Sequence, residues 1–91
     1  MADLEQKRRT VRVLELMDAS FRAYKRGDNA AFEAAMDEAL ETDASVVSVV
    51  RGGMVIGEIP RPEEHPYEWD EYLRANREGL AVMEAEEAGN G

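Results

Sequence analysis

Apolar side chains recur every three or four positions over the first 26 residues, and no other feature of the sequence constrains the fold as strongly. The clearest members of this series are Leu14, Met17, Phe21 and Tyr24. Residues at these spacings share one side of an α-helix. The series therefore predicts a long amphipathic helix from about residue 3 to 26, which needs a partner for its apolar side.

Gly27 ends the first series, and a second one follows it closely. Glycine is favoured just beyond a helix C-terminus, and Asp28 or Asn29 can cap the next helix. The apolar positions of this second helix are Phe32, Ala35, Met36, Ala39 and Leu40. Because the connection is so short, the pattern predicts two antiparallel helices, an αα-hairpin.

From residue 45 the chain is rich in β-branched side chains on both sides of Gly52-Gly53. Two such runs about a glycine pair are typical of a β-hairpin. We therefore expect strands at residues 45–51 and 54–59. The alternative is a short third helix from Asp43 to Arg51, capped by Asp43 and stopped by the glycines, which would give a small all-α bundle.

Pro66 suits the first turn of a final helix that is capped from about His65. The stripe of this helix is Trp69, Leu73, Asn76, Leu80 and Met83. Residues 84–91 are acidic and small, and we expect this tail to fray. The predicted fold is one mainly helical α+β domain over residues 1–91. Its predicted core comprises Leu14, Met17, Phe21, Phe32, Met36, Trp69, Leu73 and Leu80.

Composition indicates a soluble protein of the reducing cytoplasm. The 91 residues include no cysteine, so neither a disulfide framework nor a thiolate metal site is expected. We expect no signal peptide, because Met1 to Arg9 are polar and no apolar stretch follows them, and no apolar run approaches the roughly 20 residues of a membrane helix. The net charge of -9 disfavours direct nucleic-acid binding and favours a protein partner with a basic or apolar surface.

Residues that could support catalysis are scarce. His65 is the only histidine and lies in a predicted linker. Glu33, Asp37 and Glu41 follow one another at intervals of four, which is typical of a solvated helix face. No serine stands in the sequence context of an activated nucleophile. The sequence therefore predicts no catalytic, cofactor or metal site.

Two other groups of residues could contact a partner. Arg8 and Arg12 share one side of the first helix, within a chain segment of seven basic and four acidic residues up to Arg26. Tyr67 and Tyr72 lie off the stripe that contains Trp69, and aromatic side chains often anchor interfaces. With the carboxylates of Glu33, Asp37 and Glu41, these are the candidate partner-binding residues.

One stretch resembles a tetratricopeptide hairpin, on the residues 23–28, Ala39-Leu40-Glu41 and Asp43. It departs from that motif at Phe32 and Ala44, and only one copy is present, whereas such repeats stack on neighbours. Continued into the Trp69 helix, the stretch is also similar to the first half of NTF2-like and SnoaL-like cone folds. Those folds add a curved sheet that this sequence is too short to supply, so neither family is assigned.

These observations favour a non-enzymatic protein-binding or regulatory module. One alternative is an acidic decoy that imitates nucleic acid and occupies a basic protein groove. Another is a small NTF2-like ligand-binding or enzymatic fold completed by oligomerisation. A two-stranded hairpin is marginal alone and has an open edge, so we also expect a homodimer formed through the hairpin at Gly52-Gly53.

Overall fold

The computed structural model describes residues 2–90, which form three α-helices: α1 (Ala2–Lys25), α2 (Asn29–Val55) and α3 (Pro66–Asn90). The αα-hairpin and the C-terminal helix are therefore confirmed. Gly91, the last residue of the predicted tail, lies outside the described residues. In residues 2–90, no helix combines the length and the apolar character needed to cross a bilayer.

The predicted β-hairpin is wrong, because α2 continues through the whole valine-rich segment to Val55 and residues 2–90 contain no strand. Val46, Val47 and Val50 are buried against α1 at helical spacing. Burial of this apolar side outweighs the weak preference of β-branched residues for strands. The all-α alternative is the correct fold class, although the glycines do not stop the helix at Arg51. The cone-fold resemblance, which requires a sheet, does not extend to the fold.

A kink at Asp43 divides α2 into two parts, residues 29–42 and 44–55. The backbone of Asp43 is extended, with φ -166° and ψ 95°. Its Oδ1 accepts hydrogen bonds from the backbone amides of Ser45 at 3.1 Å and Val46 at 3.3 Å. Asp43 thus caps the second part of the helix in the way that an N-cap residue satisfies free amides.

Two glycines with positive φ end the first two helices. Gly27 has φ +80° and Gly57 has φ +81°, a conformation that costs glycine little. After α1, the amide of Asp28 donates to the carbonyl of Ala23 at 2.9 Å. After α2, the amide of Glu58 donates to the carbonyl of Gly53 at 2.8 Å. Both ends are Schellman motifs, and each turns the chain sharply away from its helix.

The core lies along α1, which packs against both other helices, while no Cα atom of α2 comes within 8 Å of one in α3. Of the predicted core, Leu14, Met17, Trp69 and Leu73 are buried, and Phe21 and Met36 are partly buried against them. Phe32 and Leu80 are only half-buried and lie outside this cluster. Phe32 instead contacts Tyr24, with ring centroids 5.5 Å apart.

Candidate protein interface

The second part of α2 exposes a face that is free of charge. We call this surface the neutral face; it consists of Ser45, Ser48, Val49, Gly52, Val55 and Ile56, all of them exposed. The face has three large apolar residues. Val49 exposes 69% of its surface, Val55 exposes 74% and Ile56 exposes 68%. Arg51, beside the face, is the only charged residue from position 44 to 57.

Helical geometry explains why this face is open. The buried side of the segment, Val46, Val47, Val50 and Gly53, packs toward α1. At 100° per residue, the neutral face points in the opposite direction. The third helix packs on α1 and leaves this outer side uncovered. The face therefore presents apolar side chains to solvent on a rigid helix.

The two adjacent glycines of α2 have different environments. A Cβ added to Gly53 would lie 2.6 Å from Cδ1 and 3.3 Å from Cβ of Ile59, which folds back over the helix. A Cβ added to Gly52 would meet no atom within 4 Å. Gly52 also has an ordinary helical φ, so nothing within residues 2–90 requires glycine there. It leaves a shallow gap at the centre of the neutral face.

Charged residues of both signs lie near the neutral face. The predicted carboxylate series of Glu33, Asp37 and Glu41 is exposed and runs along the first part of α2 toward the kink. Within residues 2–90, no salt bridge involves these three carboxylates or the exposed guanidinium of Arg51. Free acidic charge therefore precedes the face, and the free basic charge of Arg51 lies beside its centre.

The basic candidates on α1 bind partners within the chain. Arg8 bonds to Glu84 of α3 at 3.1 Å, and Arg12 bonds to Glu38 of α2 at 3.3 Å. Lys7 and Arg9, their neighbours, contact Asn76 at 2.9 Å and Asp43 at 3.5 Å respectively. The positive charge of α1 thus compensates the acidic helices beside it. Arg8 and Arg12 form exposed ion pairs that link α1 to α3 and to α2, and they do not form a free basic patch.

The two candidate tyrosines have different surroundings. Tyr67 is 85% exposed, near the start of α3. Tyr72 is half-buried, and its ring stacks on Trp69 with centroids 6.0 Å apart. Tyr72 therefore belongs to the edge of the core, and only Tyr67 is a fully exposed aromatic side chain on this helix.

A groove of about 290 Å³ separates the C-terminal end of α1 from the N-terminal end of α3. Phe21 and Trp69 are among its apolar lining residues. Its charged lining residues are Asp18, Arg22, Lys25, Glu63 and Asp70. Because the rim carries both signs of charge, it favours neither an acidic nor a basic ligand.

The carboxylate of Asp43 has a strongly lowered pKa. Hydrogen bonds from the Ser45 hydroxyl, the Gln6 amide and the backbone lower the pKa of Asp43 to about 2. This arrangement fixes the charged form of a helix cap. Within residues 2–90, no three histidine, aspartate or glutamate side chains converge to hold a metal ion.

Sequence reasoning missed the neutral face because it assigned residues 45–51 and 54–59 to strands. The signal that could have revealed it is the spacing of Val46, Val47, Val50 and Gly53, which fits one side of a helix. The chain matches no protein-family model, no curated protein and no solved structure. Its function is therefore inferred from the surfaces described above.

Proposed function

We propose that the protein is a non-enzymatic, cytoplasmic protein-binding module whose contact surface is the neutral face of α2. The observation that carries this proposal is the exposure of Val49, Val55 and Ile56 on one side of one helix. In a chain whose residues are 34% charged, a helix side without charge is a distinctive surface. Depletion of charged residues is typical of the centre of protein interfaces.

The architecture also supports this role. The neutral face lies on a helix that is anchored by buried valines on its other side and capped at both ends. A rigid helix loses little conformational entropy when a partner binds it. Small residues at the centre of the face, Ser48 and Gly52, allow a second backbone to approach closely.

Site-specific photo-crosslinking tests this surface. A photoreactive amino acid at Val49 should form covalent protein adducts in the cells that produce the protein. The same amino acid at Ala34, an exposed position on the first part of α2, is the matched control. Equal adduct yields at Val49 and Ala34 would contradict the assignment of the neutral face as the contact surface.

A second candidate is the acidic decoy, which is favoured by the free carboxylates of Glu33, Asp37 and Glu41. In that function a basic protein groove would bind the carboxylate series, and affinity would fall steeply as salt rises. The triple substitution of these residues to glutamine would then abolish binding. An interface on the neutral face predicts weak salt dependence and little effect of this triple substitution.

A further inference from the structure

We propose that the groove between the C-terminal end of α1 and the N-terminal end of α3 binds a small zwitterion with an aromatic or other apolar body, such as phenylalanine. The ammonium of this ligand would bind Glu63, and its carboxylate would bind Lys25. No residue of α2 lines the groove, so the site is separate from the neutral face and does not depend on the proposed function.

The groove has the size of a small-molecule site, and its walls are fixed before a ligand enters. Its volume of about 290 Å³ is close to the lower end of the roughly 300–1,000 Å³ that is usual for ligand pockets. One wall is the last two turns of α1. Pro62 and Pro66 contribute to the other, and their rings restrict the backbone there. The groove therefore suits a ligand of amino-acid size, and little entropy is lost in shaping it.

Aromatic side chains supply most of the apolar lining. Phe21, Tyr24 and Trp69 all line the groove. Tyr24 is 62% exposed and Phe21 is half-buried, so part of this apolar surface is open to a ligand. Aromatic rings pair favourably with one another beyond the area that they bury. The lining therefore favours a ligand whose body is a ring or another apolar group.

Three of the charged lining residues are already paired within the protein. Arg22 bonds to Asp18 at 3.0 Å and to Asp70 at 3.5 Å, which links α1 to α3. Both carboxylate oxygens of Asp18 are engaged, because the second one accepts from the indole of Trp69. These charges hold the groove in shape, and their pairing leaves them less available to a ligand.

Lys25 and Glu63 are the two charged lining residues without such a pairing. Both side chains are exposed, and within residues 2–90 neither forms a salt bridge. Lys25 ends α1 and Glu63 lies in the connector before α3, so the ammonium and the carboxylate come from different parts of the rim. A ligand with one charge can pair with only one of them. A zwitterion can form a charge-assisted hydrogen bond with each.

Titration of the isotope-labelled full chain with L-phenylalanine, followed by NMR, tests the proposal. The indole N–H resonance of Trp69, the only tryptophan, should shift with a Kd of about 1 mM, because a ligand of this size makes few contacts. Phenethylamine lacks the carboxylate of phenylalanine, and hydrocinnamate lacks its ammonium. Each of these analogues should bind about threefold to tenfold more weakly than phenylalanine.

Two substitutions assign the charges to their partners. Lys25→Gln should weaken the binding of phenylalanine by about the same factor and leave that of phenethylamine unchanged, because phenethylamine has no carboxylate. Glu63→Gln should weaken the binding of phenylalanine and leave that of hydrocinnamate unchanged. Arg51→Gln and Glu71→Gln make the same changes in net charge at exposed positions outside the groove, and these matched controls should bind phenylalanine as the wild type does.

Three results would overturn the proposal. The first is an indole resonance of Trp69 that does not shift at about 20 mM phenylalanine. The second is an analogue with one charge that binds as tightly as phenylalanine, since the groove would then recognise the apolar body alone. The third is an equal loss of phenylalanine and phenethylamine binding in Lys25→Gln, which would indicate a change in the shape of the groove and not a lost ion pair.

Discussion

The indole Nε1 of Trp69 donates a hydrogen bond of 2.9 Å to Oδ1 of Asp18, which joins α3 to α1 at the start of the third helix. The other carboxylate oxygen of Asp18 accepts from Arg22 at 3.0 Å. The ring of Phe21 meets the same indole edge to face, with centroids 5.9 Å apart. Trp69 is 2% exposed, so it is both a core residue and a fixed polar contact.

Removing the acceptor of this bond should loosen α3. We predict that Asp18→Ala lowers the free energy of unfolding by about 1–3 kcal/mol, because the indole N–H loses its protein partner. Truncation of the indole itself, in Trp69→Ala, should cost about 3–5 kcal/mol. Urea unfolding followed by circular dichroism measures both losses. Asp70→Ala, which removes only an exposed partner of Arg22, is the control, and a loss in this variant equal to that of Asp18→Ala would contradict the prediction.

Replacement of the two adjacent glycines of α2 by alanine should change the stability of the fold in opposite directions. Gly52→Ala should stabilise the monomer by about 0.5–1 kcal/mol, because alanine is the better helix former and the site is open. Gly53→Ala should destabilise it by about 1–3 kcal/mol, because the new Cβ collides with Ile59. Thermal unfolding of the wild type and both variants measures these changes. A shift of the same sign in both variants would contradict this account.

Substitutions at two neighbouring valines should separate an effect on folding from an effect on partner binding. Val47 is buried in the core, so Val47→Lys should unfold the protein. Val49 lies on the neutral face, so Val49→Lys should retain the wild-type circular dichroism spectrum and reduce the binding of a protein partner at that face. In the expected β-hairpin, Val47 and Val49 would lie on the same face of one strand, so both substitutions would charge the same surface. In the helix, Val47→Lys places a charge in the core, whereas Val49→Lys places one on the surface. A Val47→Lys variant that folds would contradict the structure.

Acid should weaken the cap at Asp43. The folded state lowers the pKa of Asp43 to about 2 from its ordinary 3.8, so the charged cap stabilises the fold above about pH 4. This contribution is lost as the pH falls from about 4 toward 2. Asp43→Ala should therefore melt below the wild type at pH 7, and the difference should shrink across that interval. The exposed Asp37→Ala is the control, and a difference for Asp43→Ala that does not change with pH would contradict the role of the charge.

The helices that could be predicted are those whose periodic pattern and end signals agree. The stripe from Leu14 to Tyr24 ends at Gly27, and Asp28 then caps α2 by accepting from Ala31 at 3.0 Å. Pro66 begins α3 as expected. In these segments local preference and tertiary packing favour the same structure, so the sequence pattern is sufficient.

The segment after Asp43 could not be assigned from local preference, because two physical signals conflict there. Valine favours strands and Gly-Gly favours turns, whereas the spacing of Val46, Val47 and Val50 favours a helix. Burial against α1 decides between them, and burial is a property of the whole fold. The neutral face was missed for the same reason, since it exists only when this segment is helical. The carboxylate series, by contrast, was predicted to be solvated and is exposed.

The position of α1, between two helices whose Cα atoms nowhere come within 8 Å of each other, has a consequence for how the molecule opens. Since the close backbone contacts of α2 and of α3 are with α1, we expect that either one can detach while the other stays docked, but that neither can stay docked once α1 unwinds. Amide hydrogens of α1 should therefore exchange with solvent last and only through global unfolding. Those of α2 and α3 should exchange through two separate partial openings, so binding at the neutral face should slow exchange in α2 and leave α3 unchanged.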